Sequence, residues 1–171
     1  MPSWAFLELT AASESELYDA YYQCYCDNYL WNADGSNIVH SDWRGTGVRF
    51  APGKFEHAFS NSSDYKAHGG HDDGLSIERA RRILWIRQVL AGDLSAGEIH
   101  LRRSASRLDV RGRSVVRQTY LVPSELYIVV LDQRLSGAAK GQWFFHTAYP
   151  TDASYFHDVA MKEGAHLDTR K

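Results

Sequence analysis

Apolar positions along this chain keep a helical period in the first half and alternate in the second. Ser13, followed by Glu14 and Glu16 and then by Leu17, Tyr18, Ala20, Tyr21 and Tyr22, is a helix start with acids in its first turn, and it predicts a helix over residues 14–31. Its many aromatic residues mark it as a core helix. Residues 32–47 are rich in Asn, Asp, Gly and Ser and read as a loop leading to a short strand at Val48, Arg49 and Phe50. Pro52 suits a helix N-terminus, so residues 54–59 form a short helix with Phe55 and Phe59, four apart, on its buried side. Residues 60–74, with HGGHDD at their centre, read as a long mobile polar loop. Ser76 caps a helix running to Leu90, apolar on more than one side and so packed against a sheet.

After Glu98 the pattern becomes that of strands, at 98–102, 107–111, 115–122, 127–132 and 142–149, separated by Gly, Ser and Pro at hairpin spacing. A short helix near 155–161 and a frayed tail complete the chain. Helices first and a meander afterwards make an α+β fold, N-terminal helices packed on a C-terminal antiparallel sheet. With 171 residues, 44% of them hydrophobic, the chain suits one domain: an N-terminal helix and loop (1–47), a core (48–150) and a tail (151–171).

The formal net charge of −2 conceals an uneven distribution, because Arg82, Arg87, Arg102, Arg103, Arg107, Arg111, Arg113 and Arg117 crowd the middle of the chain. Such a run attracts polyanions, although arginine-rich hairpins also occur simply as solvated faces. Cys24 and Cys26 point to different sides of a helix and are expected to stay reduced. No cationic stretch followed by an apolar run opens the chain, and no stretch approaches the roughly 18 apolar residues of a membrane helix, so cytoplasmic synthesis is expected. Later delivery into a target cell by an export machine leaves no trace in a sequence.

Four groups of residues carry candidate chemistry. Strand alternation places Thr147 and Tyr149 on one face and His146 and Ala148 on the other, which brings two hydroxyls together; Thr and Tyr are also ordinary strand formers. His57 has the side chain best matched to proton transfer near neutral pH, yet a histidine beside Phe55 and Phe59 also fits a half-buried structural role. His68 and His71, followed by Asp72 and Asp73, hint at a metal site, but the intervening glycines and the lack of an HExxH helix or cysteine pair favour a loop that closes over substrate, and no metal or cofactor is expected. Arg79 and Arg82, three apart at the start of a helix, share a face and become phosphate anchors if that face borders the sheet.

The order FEHAF, ERARRILWI, LYIVVLD, WFFHTAYP, from about Val48 to Pro150, resembles the phage-type and polymorphic-toxin members of the nuclease grouping that joins barnase, EndoU, colicin-type transfer-RNA cutters and RelE. The resemblance implies helices followed by a four- or five-stranded antiparallel sheet, and metal-free cutting of RNA, with transfer RNA among the targets. By position, His57 matches the family's helix-borne histidine, Arg82, with Arg79 next, its cationic helper, and Thr147 with Tyr149 its hydroxyl pair. The inserted HGGHDD loop departs from the pattern, with His71 as a candidate second proton-transfer or substrate-binding group. A cognate antitoxin or immunity protein is implied by the resemblance alone, and oligomeric state is not legible.

Metal-free RNA cleavage needs a base for the attacking 2′-hydroxyl, an acid for the departing 5′ oxygen and cations for the phosphorane, leaving a 2′,3′-cyclic phosphate and a 5′-hydroxyl. Two alternatives compete. One is a non-catalytic interaction or immunity-type module whose basic hairpin binds an acidic partner. The other is a mono-ADP-ribosyltransferase-like toxin, disfavoured because the only Glu-x-Glu, Glu14 and Glu16, comes too early.

Overall fold

A computed structural model of the chain describes residues 2–61 and 74–171, so the HGGHDD loop with His68 and His71 lies outside the described residues. Helix α1 (Glu14–Tyr25) begins at Ser13, whose side chain accepts the Glu16 amide. It runs into a wider turn (Cys26–Leu30) in which the Trp31 amide reaches back five residues to the Cys26 carbonyl. Strands β1 (His40–Ser41) and β2 (Gly47–Arg49) and helix α2 (Lys54–Phe59) follow.

The helix expected from Ser76 to Leu90 is broken into α3 (Ile77–Ala80) and α4 (Trp85–Ala91). The break has a hydrogen-bonding cause. The Arg81 carbonyl is taken by the Leu7 amide and the Ile83 carbonyl by the Tyr29 hydroxyl at 2.6 Å, while between them the Arg82 carbonyl accepts the Trp85 amide in a tighter turn and, at 3.5 Å, the Tyr127 hydroxyl. Carbonyls turned outward to those donors cannot continue the helical ladder.

Strands β3 (Ile99–Leu108), β4 (Ser114–Val122), β5 (Tyr127–Arg134) and β6 (Trp143–Pro150) form an antiparallel meander. The two strands expected at 98–102 and 107–111 are one long strand with an irregularity between Arg103 and Ser106. Helix α5 (Ala153–Lys162) comes next, and the tail expected to fray forms β7 (Ala165–Arg170) instead, antiparallel to β3. Leu167 packs on the core, Asp168 accepts from the Trp43 indole, and Gly164 makes the approach: it has φ +80°, and a Cβ there would collide with the Arg103 carbonyl.

The fold is α+β, with a sheet larger and less uniform than expected. Among the described residues seven strands lie in the order β1-β2-β6-β5-β4-β3-β7, and β2 runs parallel to β6. Alternation along β5 shows how the layers are made. Tyr127, Val129 and Leu131 join the main core beneath α1 to α4, whereas Ile128 and Val130 join Leu121 under Phe156 and Val159 of α5. Asp132, next on that second face, lies in an open cleft.

Candidate functional site

An aromatic cluster fixes α2. Phe55, Ala58 and Phe59 are wholly buried, and the two phenyl rings meet Tyr25 at 5.5 and 6.1 Å, contacts worth about 0.5–1.5 kcal/mol each beyond burial. With that face anchored, Lys54 and His57, three apart, share another face of the helix and reach the floor of a cleft of about 590 Å³. The far wall belongs to β3, β4 and the hairpin joining them: Arg107, Arg111, Arg113 and Arg117. Asp132 and Arg134 of β5 and Phe144 and His146 of β6 complete the site.

His146 enters this site through an irregularity in the strand. The β5–β6 register pairs Leu131 with Phe145 but Val130 with Thr147, leaving His146 as the extra residue of a bulge. Regular alternation would set His146 opposite Tyr149. The bulge breaks that count, and His146 reaches the Asp132 side of the sheet, its Nδ1 3.5 Å from Asp132 Oδ2. Its ring centroid is 4.8 Å from that of His57.

The Lys54 ammonium is closer still, 3.2 Å from His146 Nδ1. An ammonium only donates, so Nδ1 accepts and the imidazole proton sits on Nε2. The longer carboxylate distance fits that assignment, since Asp132 is held instead by Arg117, whose Nε and Nη2 lie 3.0 and 3.3 Å from its two oxygens. Burial, reinforced by Lys54, Arg79 and Arg117, takes the His57 pKa down to about 4. Burial, reinforced by Lys54, Arg117 and His57, takes that of His146 down to about 2. Both rings are therefore neutral at pH 7. Burial also lowers the Lys54 pKa against the attraction of Asp132, which eases release of a proton.

Among the described residues that line the cleft, six cationic side chains face three acids, Glu56, Asp109 and Asp132, a local surplus on a chain of net charge −2. The Arg134 pKa falls because it is partly buried and crowded by Arg113 and Arg111. An anion in the cleft would relieve that repulsion.

Of the residues expected at the site, His57 lies on its floor, and Arg79 and Tyr149 lie near it. The Arg79 guanidinium is 5.4 Å over the Tyr149 ring, donates to the Ala58 carbonyl and acts electrostatically on His57. Tyr149 is packed with Tyr155, and burial raises its hydroxyl pKa. Thr147 sits on β6 next to His146 but does not line the cleft. Arg82 is turned elsewhere: it bonds the Glu78 carbonyl and carboxylate and lies over Phe6 and Trp85. Sequence reasoning missed Lys54, Asp132 and His146 as site residues; a cross-strand Asp and His on neighbouring apolar strands was the one available signal.

Among the described residues no group of three or more His, Cys, Asp or Glu is placed to hold a metal ion, and no helix is long and apolar enough to cross a membrane. No protein-family model matches the chain, no curated protein matches it, and no solved structure matches it.

Proposed function

We propose that the protein is a metal-independent endoribonuclease. The observation that carries the reading is the set of proton-handling groups, two neutral imidazoles and an ammonium, at the floor of a cleft walled by arginines. A phosphodiester docks against Arg107, Arg111 and Arg113 with its reacting phosphorus near His57. Neutral His57 takes the proton of the 2′-hydroxyl as O2′ bonds to phosphorus. The bond from phosphorus to O5′ breaks, and the Lys54 ammonium supplies a proton to the departing oxygen. His146 serves this step poorly as an acid, because with a pKa near 2 it holds no second proton at neutral pH. Its Nε2–H instead donates to a non-bridging oxygen as charge develops there, with Nδ1 kept as acceptor by Lys54.

The ends left are a 2′,3′-cyclic phosphate and a 5′-hydroxyl, and DNA is inert because it lacks the attacking group. Cytoplasmic RNA is the substrate this reading assigns, in a compartment where Cys24 and Cys26 stay reduced thiols. The test is incubation of the protein and its His57→Ala variant with total RNA in EDTA, followed by end-group analysis. Cyclic phosphate ends from the wild type alone support the mechanism; intact RNA in both samples rejects it.

A further inference from the structure

The cleft has a second character besides its charge. Phe144 lines it from β6, two residues before His146 and so about 7 Å along the strand. The Arg134 guanidinium lies 5.2 Å over the Phe144 ring. At the same cleft the β3–β4 hairpin presents Leu108 and Val110, which are 68% and 78% exposed. Water-facing aliphatic side chains on one wall and a half-buried aromatic ring on another give the cleft apolar surface as well as cationic groups.

A ligand that satisfies both halves is a polyanion carrying flat apolar rings at short intervals from its charges. We propose that Phe144, with Leu108 and Val110 across the cleft, is a platform for one unstacked nucleobase of single-stranded RNA, adjacent to the phosphate that is cut. The choice of RNA rests on the ribonuclease reading. Arg134 bridges the two halves: its guanidinium lies over the phenyl ring and moves to a phosphate when a base takes the ring. Stacking of this kind tolerates any base, because every base has a π-face. A duplex, whose bases are already stacked, gains nothing at Phe144, so the platform selects single strands.

The test uses a fluorescent short 2′-deoxy oligonucleotide, which cannot be cut by 2′-hydroxyl attack, and the same oligonucleotide with abasic sites. Wild type should bind the first about tenfold more tightly than the second. Phe144→Leu should lose that difference, and Phe144→Trp, which keeps an aromatic face, should retain it. Equal affinities of wild type and Phe144→Leu for the base-bearing oligonucleotide, or no binding of either oligonucleotide, overturn the platform. A parallel RNA cleavage assay separates the two ideas. Cleaved RNA without base-dependent binding removes the platform and leaves the ribonuclease; base-dependent binding at Phe144 with RNA left intact does the reverse.

Discussion

On one face of β4, Gln118 and Tyr120 belong to a relay of short hydrogen bonds. Arg103 Nη2 donates to Gln118 Oε1, Gln118 Nε2 to the Tyr120 hydroxyl, and that hydroxyl to Asp42 Oδ2, each at a heavy-atom distance of 2.7 Å. Asp42 Oδ1 also accepts the amides of Arg44 and Thr46. On the opposite face of the same strand, Arg117 belongs to the cleft with Asp132, His146, Lys54 and His57. Gln118, Tyr120 and Asp42 are buried, and the donors and acceptors of the relay satisfy one another. The described residues of the cleft instead carry surplus positive charge, and burial keeps its imidazoles neutral. The same strand thus carries polar groups that stabilise the fold on one face and polar groups arranged for an anion on the other. Substitutions on the two faces should separate cleavage from stability.

The largest separation is expected at His57. His57→Ala should lower the cleavage rate by about 10²- to 10⁴-fold, the usual contribution of a general base, without lowering the thermal midpoint. A loss of activity matched by a loss of folded protein would assign His57 to the structure instead. Next comes Asp42→Ala, which leaves the Tyr120 hydroxyl and two amides without their acceptor inside the protein. That change should cost about 2–4 kcal/mol of stability by urea unfolding, while the folded fraction cleaves RNA at the wild-type rate.

The pH dependence of stability sharpens the contrast. Both cleft histidines have folded pKa values, about 4 and about 2, below the roughly 6.5 of an unfolded chain. As pH falls the unfolded chain takes up protons first. Their contribution is therefore fully present above pH 6.5 and is lost on acidification, down to about pH 4 for His57 and further for His146. The slope approaches 1.4 kcal/mol per pH unit for each ring. Urea midpoints at pH 7, 6 and 5 should fall steeply for the wild type and less for His57→Ala or His146→Ala; parallel slopes would show that the rings are not held neutral by burial. For cleavage, the acid limb of kcat/KM should lie near pH 4, and that of kcat should lie higher, because a bound phosphate favours the protonated ring.

The α+β class, the meander and His57 were legible because they rest on local pattern: alternation after Glu98, and Phe55 and Phe59 anchoring the helix that carries His57. The arginine run was legible as a charge excess, and four of its members line the cleft. His146 was not, because a bulge shifts strand parity through pairing with a distant strand, which no single segment reveals. Arg82 and Arg79 looked interchangeable on a regular helix, but Arg82 pairs with Glu78 four residues before it and lies over Phe6 and Trp85, whereas Arg79 lies over the Tyr149 ring. The helix break and β7 also depend on partners far away in sequence, Tyr29 and Tyr127 in one case and β3 in the other.

The smallest expected effect distinguishes the two faces by charge alone. Arg111 lines the cleft, whereas Arg103 sits at the head of the buried relay, and removing either changes net charge by the same amount. If RNA lies in the cleft, Arg111→Ala should weaken binding a few-fold and reduce the slope of log affinity against log salt by about 0.7, the value for one phosphate contact on a single strand. Arg103→Gln should leave that slope unchanged, because its charge does not face the bound strand. Equal reductions for the two variants would mean that RNA responds to the overall charge of the protein and not to this cleft. A change at Arg111 alone ties the salt dependence to the wall that faces His57 and Lys54.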